Sequence, residues 1–162
     1  ARLVARNPEA PVLFGAVSIS DSYHPISRRL MAAFLEFHQA HRELSRLVRS
    51  RRRISRSAGA HSGDETMAVV HENLDSLGGP IGDIEADGKG VPVLVRQYLK
   101  MGGKLLGLTV DPGFSNTLDA LILVDLRLTS RGLLERYMSR SRAASFLAYH
   151  KLNEIASRRI AS

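Results

Sequence analysis

A chain of 162 residues with 44% hydrophobic and 24% charged residues is long enough to bury one core and too apolar to remain wholly disordered. It contains no cysteine, which excludes disulfides, thiolate–zinc sites and a cysteine nucleophile, and points to a reducing compartment. The net charge of +7 is concentrated in one place, where seven arginines from Arg42 to Arg56 stand against Glu43 alone, a local balance of +6 that leaves the remainder nearly neutral.

The first predicted element is a strand, Val12–Ser20, preceded by the turn-like Asn7-Pro8-Glu9-Ala10-Pro11. Phe14, Ala16, Ser18 and Ser20 share one face and Leu13, Val17 and Ile19 the other, so at least one side is expected to be covered. The uncharged stretch around it, Ala10–Ser20, falls far short of the roughly 18 apolar residues of a membrane-spanning helix. Ser20, Asp21 and Ser22 then offer N-caps, and Pro25 falls in a first helical turn. Ile26, Leu30, Ala33, Phe34 and Phe37 recur at helical spacing, which predicts an amphipathic helix to about His41.

The arginine arm follows, with Arg51, Arg52 and Arg53 at its centre. Such an arm suits a polyanion, whether an acidic protein, an anionic lipid surface or a nucleic acid. No aromatic residue lies between Phe37 and Tyr98 to stack on a base, which argues against nucleic acid. From residue 50 to residue 90 the periodicity dissolves, and five of the thirteen glycines fall between Gly78 and Gly90. This reads as a flexible insert, Ser50–Gly63 above all, with one short helix around Glu65–Leu77.

Order returns at Val91. Pro92 opens a helix with the apolar stripe Leu94, Val95, Tyr98 and Leu99, and Gly102-Gly103 ends it in left-handed fashion. Lys104–Val110 and Asp119–Leu126 read as strands joined by a loop of functional length, Asp111–Thr117. Ala120–Val124 is continuously apolar, which predicts a central strand covered on both faces. Thr129–Met138 and Ala143–Ile160 complete the chain as helices. Residues 1–162 thus form one domain of the α/β or α+β class, with a thin sheet of three strands.

Catalytic spacing is scarce. His38 and His41 lie three apart on one helix, but Glu43 falls on the wrong face to join them as a metal ligand. All six histidines read as surface residues. A glycerolipid acyltransferase would carry an aspartate five residues after its histidine, and those positions hold Arg29, Glu43, Arg46, Thr66, Ser76 and Ile155. There is no Gly-x-Ser-x-Gly elbow and no Gly-x-x-x-x-Gly-Lys phosphate loop, and Gly88-Lys89-Gly90 is only a turn-like fragment.

Two stretches nevertheless resemble a known family. Phe14-Gly15-Ala16-Val17-Ser18-Ile19-Ser20 followed by Tyr23-His24-Pro25-Ile26-Ser27-Arg28-Arg29-Leu30 is similar to the fifth strand and fourth helix of the bacterial hemolysin family. Its members are GNAT-like acyltransferases related to the ornithine lipid N-acyltransferases. Pro92–Gly103, Val110–Ser115 and Leu118–Leu126 resemble that family's closing helix and last two strands, with Leu134–Met138 and Ala148-Tyr149-His150 also matching. About two thirds of the chain is covered.

The resemblance implies the C-terminal part of a GNAT-like fold that moves an acyl group from acyl-carrier protein or acyl-CoA to an amine of a lipid precursor. It implies no permanently bound cofactor. The family's Arg/Gln-x-x-Gly-x-Gly/Ala phosphate loop is missing here, and the first residue is Ala1, so the donor half is expected upstream in a longer polypeptide. Tyr23 stands where such enzymes keep a tyrosine to protonate the leaving thiolate, with packing on the sheet as the alternative. Ser18 and Ser20 would bond the donor's pantetheine amides, or serve capping and strand packing. Asp111 and Asp119 would hold the cationic acceptor, although Asp111 before Pro112 is also ordinary turn chemistry. Arg51, Arg52 and Arg53 would dock acyl-carrier protein or the anionic inner membrane, which places the chain in the cytoplasm and peripheral to that membrane. An apolar edge at Val12–Ser20 predicts pairing with the upstream part or with a second copy. The alternative reading is a non-catalytic lipid-binding module on the membrane surface.

Overall fold

The computed structural model describes residues 7–50 and 73–160, and the chain forms two compact units, Phe14–Leu123 and Ala1–Leu13 with Val124–Ser162. Together the described residues give a mixed α+β architecture with one antiparallel sheet of three strands and five α-helices. The strands are β1 (Val12–Ile19), β2 (Lys104–Asp111) and β3 (Thr117–Asp125), in the spatial order β1-β3-β2. β3 is central, as its apolar run predicts. It is not covered on both faces, however. Leu118, Ala120, Ile122 and Val124 are buried, whereas Asp119, Leu121, Leu123 and Asp125 between them are half-exposed, because the helices packed in this unit bury one side of the sheet.

In the larger unit, α1 (Pro25–His38) packs against β2 and against α2 (Leu74–Ile84). Leu30, Met31, Phe34 and Leu35 at helical spacing place its buried face, where they meet a core that includes Ile19, Leu77, Ile81, Val95 and Ile122. A fully buried side chain of this size contributes about 1.5–3 kcal/mol, so this face sets where α1 sits. α1 ends at His38, three residues earlier than its periodicity suggests. The next residues prefer the sheet: Ala40 bridges Leu105 in parallel sense, His41 N–H donates to the Leu105 carbonyl at 2.8 Å, and Leu105 N–H donates to the Gln39 carbonyl at 2.7 Å.

Of the helix expected around Glu65–Leu77, residues 65–72 lie outside the described residues, and the rest falls at the start of a helix that continues to Ile84. α2 starts after Asn73, whose side chain accepts from Ser76 N–H at 2.8 Å, and runs through Gly78, Gly79 and Pro80. Leu77 and Ile81 are fully buried, and that packing outweighs the poor helix propensity of the glycines. Residues 73–90 of the expected insert, 50–90, are therefore structured, while its residues 51–72, with Arg51, Arg52 and Arg53, lie outside the described residues.

α3 (Val93–Lys100) follows Pro92 as predicted and closes at Gly102, φ +84°, and Gly103. β2 and β3 pair antiparallel from Asp111↔Thr117 to Lys104↔Leu123, with a bulge that inserts Leu106 between Leu105 and Gly107. In the smaller unit, α4 (Arg131–Met138) packs on α5 (Arg140–Ile160) through the buried Leu134, Met138, Ala143 and Phe146. Glu135 is held by Arg131 at 2.8 Å and approached by Arg140 at 3.7 Å. No helix among the described residues is long and apolar enough to cross a membrane.

Candidate functional site

Strand polarity gathers the predicted site residues at one end of the sheet. β1 leaves there toward Ser20 and Tyr23, β2 finishes at Asp111, and β3 begins with Thr117 and Asp119. Ser18 Oγ donates to Asp119 Oδ1 at 2.6 Å, a charge-assisted bond between residues 101 apart in sequence. Thr117 Oγ1 approaches the same oxygen at 3.5 Å. Asp119 is half-buried, and its bonds to Ser18 and Thr117 both fall on Oδ1.

Asp111 and Ser20 are used locally. Asp111 Oδ1 accepts from Gly113 N–H at 2.8 Å, shaping the β2–β3 loop as an Asx turn. The loop continues through Ser115 and Asn116 in left-handed conformation and is held from α1 by Arg28, which donates to the Asn116 carbonyl. Ser20 Oγ accepts from Ser22 N–H at 3.1 Å, and the Ser20 carbonyl accepts from Tyr23 N–H, so this serine builds the turn that presents Tyr23. Asp111 and Asp119 are thus not equivalent, since only Asp119 meets a residue of β1.

Tyr23 leads into a polar cluster that sequence reading missed. Its hydroxyl donates to the Gly90 carbonyl at 2.8 Å, and Lys89 Nζ sits 4.6 Å from the ring centroid. Lys89 also donates to the Ser22 carbonyl at 3.1 Å and lies 3.5 Å from both Glu85 and Asp87. Glu85, buried, accepts from His24 N–H at 2.9 Å and so places a carboxylate at the N-terminus of α1, where the helix dipole favours it. His24 caps the same helix, with Nδ1 accepting from Ile26 N–H at 3.2 Å.

These contacts set protonation. Desolvation by burial pushes the Tyr23 hydroxyl above the ordinary tyrosine value, with Lys89 opposing it, so the phenol stays protonated and available as a donor near neutral pH. The Ser27 hydroxyl has the largest lowering effect on the Glu85 carboxyl, ahead of His24 N–H and Lys89, and the carboxyl stays ionised. Ser27 Oγ itself is buried without a partner of good hydrogen-bond geometry, so it acts on Glu85 as a nearby dipole rather than through a formed bond. The Lys89 backbone N–H, donating to Asp87 Oδ1 at 3.2 Å, holds the Asp87 carboxyl below the ordinary aspartate range.

The signal for Glu85 was present in the sequence. Leu77, Ile81 and Glu85 follow one another every four residues, so the carboxylate continues the buried stripe of α2. The Tyr23–Gly90 contact had no such signal. His38 is tilted against Phe34 at 5.0 Å and edge-on to Phe37 at 4.9 Å, and His41 Nδ1 accepts from Leu44 N–H. His150 lies within α5, half-buried and edge-on to Phe146 at 4.5 Å.

Among the described residues, no group of three metal-ligating side chains forms. One shallow depression of about 200 Å³ is bordered by Gln39, Asp75, Arg96 and Lys100. That is below the roughly 300–1,000 Å³ of typical ligand pockets, so it does not offer a nucleotide-sized cavity. No family model, curated protein or solved structure matches the chain.

Proposed function

We propose that this chain is part of a GNAT-like acyltransferase that moves an acyl group from a thioester, carried by acyl-carrier protein or coenzyme A, to an amine of a lipid precursor. The observation that carries the reading is the β1 edge. Among the described residues nothing pairs the outer side of β1, and the strand runs directly into the turn that presents Tyr23. A pantetheine arm offers two amides, and an open strand edge supplies the backbone donors and acceptors to pair them.

The chemistry then falls to few groups. The amine nitrogen attacks the thioester carbonyl carbon, and the carbon–sulfur bond breaks. Tyr23 gives its phenol proton to the leaving sulfur and is restored by the proton released from the amine, directly or through water. Asp119, fixed by Ser18, orients the cationic acceptor, which gives one proton to solvent before the neutral amine attacks. Ser20 sets the turn beneath Tyr23, and Asp111 shapes the neighbouring loop. The charge of Arg51, Arg52 and Arg53 suits an acidic carrier or an anionic membrane.

The test uses the full encoded polypeptide and follows release of free thiol from an acyl-carrier-protein thioester. These 162 residues contain no cysteine and so give no signal with a thiol-reactive dye, and a control without acyl donor subtracts any thiol elsewhere in the polypeptide. Thiol release that depends on added amine is expected, with Tyr23→Phe lowering kcat on the order of 100-fold and leaving carrier binding intact. Absence of amine-dependent release overturns the acyl-transfer reading. Vesicle binding without turnover would put the lipid-binding module in its place.

A further inference from the structure

We infer that the segment from Gln39 to Arg49 is a membrane-docking surface, whose partner is an anionic lipid bilayer that receives Leu47 between phosphate-bound arginines.

The segment is anchored and therefore presents its side chains from a fixed base. Its start is bonded to Leu105 on the outer edge of β2, and Val48 packs at the same edge, where its Cγ1 would come within 3.2 Å of any Cβ placed on Gly107. Between these two anchors the chain makes a 3-10 turn, Leu44–Arg46, whose N-terminal approach is closed by Leu44 N–H donating to His41 Nδ1. What remains on the outside is unusual in composition. Arg42, Arg46 and Arg49 are all exposed, none forms an ion pair or side-chain hydrogen bond among the described residues, and the only acid among them is Glu43. Leu47 is 78% exposed, and Phe37 at the end of α1 is 63% exposed.

A single exposed leucine is ordinary on a protein surface. A leucine held outward by an anchored turn, with unneutralised arginines immediately before it and two residues after it, is a different arrangement. Guanidinium groups pair with phosphate oxygens in forked geometry, and an apolar side chain among them gains only if hydrocarbon lies beneath the phosphates. A nucleic acid would satisfy the arginines but not the leucine, and Gln39–Arg49 itself contains no phenylalanine, tyrosine or tryptophan to stack a base. An acidic protein would need a broad complementary surface, whereas here one exposed apolar residue stands in a short segment with three exposed arginines. The acyl-transfer reading supplies the biological sense of this assignment, because its acceptor is lipidic, and the inference rests on it only there. Vesicle binding is measured without turnover, so either reading can fail while the other stands.

The experiment exploits the absence of tryptophan from the chain. Leu47→Trp is mixed with phosphatidylcholine vesicles, with and without phosphatidylglycerol, and its emission is followed. A blue shift and shielding from an aqueous quencher are expected with the anionic vesicles alone. Phe114→Trp, equally solvent-facing in the β2–β3 loop at 67% exposure, is expected to show neither. Joint Arg42→Gln, Arg46→Gln and Arg49→Gln substitution, at exposed positions that leave the fold intact, is expected to lower vesicle affinity on the order of 100-fold at low salt. Three results would overturn the inference: no cosedimentation with anionic vesicles, binding in which the tryptophan stays fully quenched, or binding to acyl-carrier protein used as an acidic probe with none to vesicles.

Discussion

Gly103→Ala is expected to destabilise the chain by ~3 kcal/mol, the upper part of the range for overpacking a well-fitted site. A Cβ on Gly103 would stand 2.7 Å from the Tyr98 carbonyl oxygen and 2.9 Å from Ile122 Cγ2. The carbonyl belongs to the last turn of α3 and already accepts from Gly103 N–H at 2.9 Å, so it cannot retreat without losing the bond that closes the helix. At roughly 2–4 °C per kcal/mol for a chain of this size, the expected fall in Tm is on the order of 10 °C, read by thermal unfolding. Gly102→Ala is the internal control. Gly102 has φ +84° but nothing within 4 Å of a Cβ, so its cost is conformational only, about 1 kcal/mol. A larger loss from Gly102→Ala than from Gly103→Ala would show that the close approach to Tyr98 does not govern this corner.

Glu85→Gln is expected to cost several degrees of Tm near neutral pH and to flatten the acid limb of the stability profile. The folded carboxyl titrates below the ordinary glutamate range, through the Ser27 hydroxyl, His24 N–H and Lys89. Its stabilisation is therefore fully present above the unfolded-state pKa and disappears as pH falls through the folded one. Glutamine keeps an acceptor for His24 N–H but removes the charge that Lys89 and the start of α1 face. Wild type and variant should thus converge as acid protonates Glu85, and diverge at neutral pH. Parallel profiles across the acid range would mean that Glu85 acts by shape alone. Because Glu85 and Lys89 also frame Tyr23, the variant is expected to disturb the emission of Tyr23 as well as the melt.

These two positions show what local pattern can and cannot reveal. Alternation drew β1 within one residue of its end, and Pro25 and Pro92 marked the starts of α1 and α3, since such features depend on neighbours in sequence. Gly102-Gly103 announced the end of α3, but only the fold shows that the first glycine is needed for its φ and the second for space. α2 escaped because its glycines and proline argue against a helix locally, while Leu77 and Ile81 are decided by burial against α1. The site divides in the same way. Ser18, Asp119 and Tyr23 stood out as residue types at suggestive places, yet the bond between Ser18 and Asp119 depends on β3 rather than β2 lying beside β1. The burial of Glu85 was legible from its spacing after Leu77 and Ile81. Its contact with the start of α1 was not, because helix-to-helix docking leaves no local periodicity.

The two borders of the sheet differ, and the difference limits how far it can grow. On the β2 side the backbone is already engaged by Gln39 and His41, and Val48 stands against the bulged stretch at Gly107. On the β1 side no described strand follows. An added strand therefore has one place to go, and two copies meeting there would join β1 to β1 about a twofold axis. The product would be a continuous six-stranded sheet with a blocked border at each end, a closed assembly with no template left for a third copy. The parallel bridge at Ala40 thus occupies the β2 border at Leu105, where an added strand would otherwise begin to pair.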